Sequence, residues 1–170
     1  MRRSILVAVI ALTALAASAA IAKNPAVPAG TWDLHTTKAS YSGPSTRLKS
    51  VLAKLIKQRV IFSPACTPTL CATYATVTTI RGQRVRFRLV SKASEAFTGR
   101  VLIATGIRCG RKPLKAQLEM TASMIQLQQP SDRLIGATSA VAVNPGNCPL
   151  FRGFRRAVRK TQYFGAAVSG

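Results

Sequence analysis

Twenty-five lysines and arginines stand against four acids and one histidine in this 170-residue chain, so its available chemistry is mainly that of fixed positive charge. The acids fall singly at Asp33, Glu95, Glu119 and Asp132, and no two are spaced for acid–base work. His35 has no nucleophile beside it in sequence and reads as a strand surface residue. A zinc site would have to combine His35 with scattered cysteines that lack the usual close pairs. No phosphate-binding glycine loop is present. The expectation is a protein that is not an enzyme and uses no metal or cofactor.

What remains is cation geometry. In the run RVRFRLV, Arg84, Arg86 and Arg88 alternate with Val85, Phe87 and Leu89. A strand sends alternate side chains to opposite faces, so three guanidinium groups form one stripe about 13 Å long. A second cluster, Arg152, Arg155, Arg156, Arg159 and Lys160, sits at helical spacing, with Phe151, Phe154 and Val158 on the other side. Gly153 weakens such a helix by about 1 kcal/mol, and Thr161 to Val168 reads as a closing strand, so helix and strand both stand for residues 149–160. Guanidinium forks suit phosphate and carboxylate, and both clusters are candidate anion-binding sites. The net charge of +21 attracts anionic partners at low salt, while a 48% hydrophobic content argues against a disordered basic tail.

The elements that must position these cations begin after an export signal. Arg2 and Arg3, an apolar run from Ile5 to Leu15 and small residues through Ala22 make residues 1–22 a secretory signal peptide, with Ala20-Ile21-Ala22 at the cleavage site. Residues 23–30 are a leader and 31–170 a single β domain. The chain is therefore expected to be secreted or associated with the cell envelope. Cleavage removes two of the cations and none of the acids.

Trp32, Leu34 and Thr36 share one face of a first strand. Ser45 to Gln58 then places Leu48, Val51, Leu52, Leu55 and Ile56 at helical spacing, a helix of about three turns. It either packs on the core or serves as a membrane-surface or partner helix. Val60 to Val77 is a hairpin, with a break at Ser63-Pro64 and a pinched Cys66–Cys71 loop. After Arg84–Val90, a turn from Ser94 to Gly99 leads to a strand at Val101. Leu114 to Gln128 alternates most clearly, with a bulge or bend expected at Met124-Ile125, and Leu134 to Val143 returns. The sum is a mostly β chain: an antiparallel up-and-down barrel of about seven or eight strands with one or two short helices, or alternatively a β-sandwich. Trp32, Phe62, Phe87, Leu118 and Met120 are expected in its core.

Strand order also pairs the cysteines. Cys66 and Cys71 flank one hairpin loop. Cys109 and the residues after Val143 fall at the same barrel end, two strand spacings or about 9.6 Å apart, within reach of Cys148. The expected disulfides are Cys66–Cys71 and Cys109–Cys148, as suits an exported chain.

Gly30-x-Trp32 at the head of a strand meander resembles lipocalin-like (calycin-type) β-barrels. The fuller pattern, G-x-W, then F-x-P-x-C-x4-C from Phe62 to Cys71, then Cys109 and Cys148, is similar to secreted bacterial proteins of uncharacterised function. The resemblance implies that Trp32 closes the barrel floor, that Arg155, Arg156 or Arg159 packs over it, and that a small apolar ligand occupies the interior.

Two binding classes follow. The basic surface engages an anionic polymer or lipid at the cell envelope, the favoured reading. Alternatively, the barrel carries a small apolar ligand. Nucleic acid ranks lower, because aromatics are 6% of residues and Phe87 faces away from the arginine stripe.

Overall fold

Period-two alternation governs the chain once it leaves its first residues, and it closes on itself. The computed structural model describes residues 27–67, 71–91, 96–125, 133–146 and 148–168, together with the backbone but not the side chain of Cys71. Residues 1–22 and 23–26, read as signal peptide and leader, lie outside them. The elements run β1 (Gly30–Ser42), α1 (Thr46–Ala53), β2 (Ile56–Cys66), β3 (Cys71–Thr79), β4 (Arg84–Ser91), β5 (Ala96–Cys109), β6 (Lys112–Ile125), β7 (Arg133–Val143), a 3-10 turn (Pro149–Phe151) and β8 (Arg156–Ala167). Each strand pairs antiparallel with the next, and β8 returns to β1, from Trp32 opposite Ala167 to Ser42 opposite Val158. The fold is a closed, eight-stranded up-and-down barrel, not a sandwich.

The interior is packed with side chains. Trp32, Phe62, Phe87, Leu118 and Met120 are all buried, joined by Phe97 and Phe151. Outward positions carry charge as well as single apolar side chains such as Leu102, Ile135 and Phe164: Arg86, Lys115 and Lys160 sit mid-strand on the outer wall. Each such charge would cost ~2–4 kcal/mol against lipid tails, so this wall is built to face water. No helix among the described residues is long and apolar enough to cross a membrane.

Two seams are short. β1 pairs with β2 only from Gly30 to Asp33, and β4 pairs with β5 only at Val90 and Ser91. α1 fills the barrel end where these strands part. Ser45 caps it, its hydroxyl accepting from the Leu48 N–H at 3.2 Å, and Leu48 and Leu52 are buried in the core. Its apolar face is therefore occupied by the barrel and is not a free membrane or partner face. The helix is also shorter than its spacing predicts. Leu55 stays buried, but Ile56 pairs with Thr79, and residues 56–58 belong to β2. An apolar pair at i+7 and i+8 fits either conformation, and strand pairing decides it.

Three further expectations are corrected. No break occurs at Ser63-Pro64: β2 runs through to Cys66, and Pro64 lies past the last β1 partner, Phe62. That stretch is paired on one side only, where a missing N–H is tolerated. Ala96 to Gly99 is strand, not turn. Gly99 is needed because a Cβ there would strike the Arg88 carbonyl and Leu89 across the narrow β4–β5 seam. Of the two alternatives open for residues 149–160, strand prevails from Arg156 and no α-helix forms. After the 3-10 turn, Arg152 (φ 44°) and Gly153 (φ 85°) take left-handed backbone, which ends helical propagation, and β8 starts at Arg156. The ladders of β6 stay in register through Met124 and Ile125 without the expected bulge, and residues 126–128 lie outside the described ones.

Cys109 and Cys148 are disulfide-bonded, with Cα atoms 5.1 Å apart, tying the end of β5 to the β7–β8 connection. Cys66 is also disulfide-bonded, and the β2–β3 ladder sets it opposite Cys71.

Two outcomes are expected. Trp32→Ala destabilises the fold by ~3–5 kcal/mol in urea denaturation, since it opens a cavity at a tightly packed end. Cys109→Ser with Cys148→Ser destabilises by about 4 kcal/mol on the loop-closure model, against about 2 for Cys66→Ser with Cys71→Ser. Denaturation of both double variants under non-reducing conditions ranks them.

Candidate anion-binding surface

Strand parity places the three arginines of β4 where the sequence predicts. Arg84, Arg86 and Arg88 are exposed, while Phe87 and Leu89 between and beside them are buried. Their cross-strand partners on β3 are Thr78, Thr76 and Tyr74. Arg86 leans along the diagonal so that its guanidinium carbon lies 4.2 Å from the Tyr74 ring centroid. Stacking on the ring face holds the guanidinium flat while its N–H edge stays directed outward. Sequence reading missed Tyr74; its outward parity, next to the arginine strand in the meander, was the available signal.

Below the stripe, an open groove of about 510 Å³ on the outer wall is lined by Asp33, Lys57, Arg59, Thr76, Thr78 and Arg84. Its one acid is already engaged. Arg59 grips Asp33 with both prongs, Nε donating to Oδ1 at 2.8 Å and Nη2 to Oδ2 at 3.0 Å. The hydrogen bond from Arg59 holds the Asp33 carboxyl below its ordinary value of 3.8. Glu119 is likewise bound, accepting from Arg100 at 3.1 Å. His35 faces outward and stacks on Phe164, ring centroids 4.9 Å apart.

The second cluster is divided because it runs from a connection into a strand. Arg156 and Lys160 point outward from β8, and Arg152 and Arg155 lie on the β7–β8 connection. Arg159 has the opposite parity. It is half-buried on the wall of an interior cavity of about 100 Å³, with Leu34, Leu118, Ala140 and Tyr163. β4 and β8 are also four strands apart in a ring of eight, so the two clusters occupy opposite sides of the barrel.

A different grouping joins them at one end. Up-and-down order brings α1, the β3–β4 turn, the β5–β6 turn and the β7–β8 connection to the same rim. Arg47, Lys49 and Lys54 ride on or next to α1. Arg81 and Arg84 flank the first turn, with Arg81 Nη2 donating to the Gly106 carbonyl at 3.0 Å. Arg108, Arg111 and Lys112 flank the second, and Arg152, Arg155 and Arg156 complete the rim. Of the two acids among the described residues, Glu119 lies away from it on β6, and Asp33 lines the groove with Arg84 but is already gripped by Arg59. Sequence reading identified the turns Arg81-Gly82-Gln83 and Cys109 to Pro113 but did not count them to the same rim.

Trp32 lies near the opposite end. Its indole Nε1 donates to the Ala29 carbonyl at 2.7 Å, and its ring lies against Gly165. Thr73 Oγ1 donates to the Pro28 carbonyl at 3.1 Å, drawing residues 27–29 over this end. The expected arginine over Trp32 is not there. Arg159 pairs with Tyr41 near the far end of β1, and Arg155 and Arg156 lie farther along still. The meander fixes that separation, because β8 enters at the α1 end.

The Asp33–Arg59 pair gives a pH test. A depressed carboxyl pKa stabilises the fold above its unfolded value and loses that contribution as pH falls through the folded one. Asp33→Asn is expected to remove this part of the acid limb below pH 3.8 in a urea-midpoint titration. The same variant frees Arg59 and should tighten binding of a polyanion severalfold at neutral pH. No protein-family model matches the chain, and neither a curated protein nor a solved structure does, so its functional reading rests on this geometry.

Proposed function

We propose that the protein is a secreted, non-enzymatic binding protein that engages anionic polymers or lipids of the cell envelope through its basic surface. The observation that carries this reading is the arginine stripe of β4: three exposed guanidinium groups, one stacked on Tyr74, with the neighbouring Asp33 already held by Arg59. Such a row can meet successive phosphates or carboxylates along an extended partner. The disulfide supports an oxidising destination. Eight strands in a closed ring and Gly30-x-Trp32 support a lipocalin-like lineage, with Trp32 near the floor.

The carrier reading has less behind it. The interior cavity is about 100 Å³, whereas small-molecule sites run to roughly 300–1,000 Å³. α1 and the core phenylalanines take up the space a ligand would need.

The test is binding of the secreted protein to anionic vesicles and to a soluble polyanion across a salt series. Replacing Arg84, Arg86 and Arg88 together by Gln is expected to weaken binding about ten- to a hundredfold at low salt with the urea midpoint unchanged. Affinity should also fall steeply as salt rises. Binding that survives high salt, or that the triple variant leaves intact, would overturn the reading.

A further inference from the structure

The rim that gathers the cations also displays apolar side chains at its tips. Phe154 and Ile80 are each 56% exposed, Ile80 just after β3 and Phe154 between the 3-10 turn and β8. Scattered exposed hydrophobes need no explanation. These two differ because each crowns a connection at the same barrel end and each is held there by a well-bonded backbone.

Phe154 is fixed from three directions. Its N–H donates to the Phe151 carbonyl at 2.7 Å, and Phe151 is fully buried. Its own carbonyl accepts from Asn144 Nδ2 at 3.3 Å, and Asn144 N–H donates to the Arg155 carbonyl at 2.9 Å. The Cys109–Cys148 bond anchors the same connection. Ile80 begins a tight turn closed by Thr79 N–H to the Gln83 carbonyl at 2.8 Å and Gly82 N–H to the Thr79 carbonyl at 2.9 Å. Leu102, Val90, Ile125, Ile135 and Phe164, 64%, 38%, 39%, 41% and 44% exposed, lie on strands and not at tips, while Val143, 62% exposed, ends β7 at this same rim.

Each tip is bracketed by arginine: Arg81 beside Ile80, Arg152 and Arg155 around Phe154. A hydrated polyanion has no use for apolar tips. The interface of an anionic bilayer accepts both, with the cations at the phosphates and the rings among the upper acyl carbons. We infer that the α1 end of the barrel docks end-on to anionic phospholipid bilayers, with Ile80 and Phe154 inserted and the surrounding arginines on lipid phosphates. This rests on the basic-surface reading above and names the partner and the face. The barrel wall stays in water, as its mid-strand charges require.

The experiment uses the secreted chain with phosphatidylglycerol–phosphatidylcholine vesicles, pure phosphatidylcholine vesicles and dextran sulfate. Ile80→Ser with Phe154→Ser is expected to weaken binding to the mixed vesicles roughly tenfold and to leave dextran sulfate binding unchanged. Trp32 is buried, so Phe154→Trp adds an exposed reporter, whose emission should shift to the blue on mixed vesicles and not on dextran sulfate. If the double variant binds mixed vesicles as well as the parent, or the reporter does not shift, end-on insertion is wrong while the basic-surface reading stands. Binding to dextran sulfate without binding to mixed vesicles has the same meaning. Binding to neither anionic probe at low salt overturns both.

Discussion

The β1–β8 ladder is the constraint on which everything else depends. It joins the two ends of the meander along almost the whole length of both strands, from Trp32 opposite Ala167 to Ser42 opposite Val158. Without it the sheet would have two unpaired edges on a strongly basic chain, and the inward side chains would lose their common interior. Closure also fixes the ends. Once the ring is shut, alternate connections share a rim, and the cations in them have no freedom to be elsewhere. A shift between Thr36 and Lys38 keeps this ladder continuous while turning Tyr41 inward, where its hydroxyl donates to the Ser45 carbonyl at 3.0 Å and sets the start of α1.

Closure is uneven around the ring, and the compensations explain where side chains bridge. At the β1–β2 seam, Arg59 and Asp33 span the last paired residues. At the β4–β5 seam, Arg81 reaches the Gly106 carbonyl. α1 takes up the volume opened by both. On the opposite arc, small residues allow closer packing: Gly136 leaves room for the Tyr163 ring, whose hydroxyl donates to the Thr121 carbonyl at 2.7 Å, and burial pushes the Tyr163 phenol up from its ordinary value. The arc from β5 to β8 and β1 carries the long ladders, with register shifts at Thr36/Lys38 and Ala104/Arg108, and the two short seams bound the β2 to β4 arc, where the arginine stripe lies.

Much of this was legible in the sequence because a barrel wall needs only parity. The run from Arg84 to Val90 and the run from Leu114 to Met124 each have one charged or polar side and one apolar side, and no other element satisfies both. The Cys109–Cys148 bond followed from counting strand reversals. The failures share a cause: local signals that are valid for more than one conformation. The fork left open from Arg152 to Arg159 has the same origin: arginines at helical spacing also fit a turn followed by a strand, and left-handed backbone at Arg152 and Gly153 favours the latter. Ser63-Pro64 and Gly99 look like turn residues, yet each occupies a strand for reasons set by its neighbour, a missing partner for Pro64 and a crowding one for Gly99. The rim was illegible for another reason. Its members come from four connections, and only closure makes them neighbours.

A barrel of this size can use its interior to hold a ligand or to hold itself together. Here Phe62, Phe87, Phe97, Phe151 and the leucines of α1 are drawn into one core, leaving about 100 Å³. With the interior so filled, the charge lies on the surface, and this surface carries a repulsion that the fold must withstand. The repulsion is greatest at the α1 rim, where cations from four connections meet and the nearest described acid, Asp33, is already paired with Arg59. That same rim is where the Cys109–Cys148 bond lies, so the covalent restraint sits where electrostatics would most readily separate the strands. A counter-charge from outside would relieve the same strain. If an anionic surface binds at this end, as proposed, it would stabilise the fold as well as the contact, and the concentration of charge that makes the rim costly in isolation would make it favourable against such a partner.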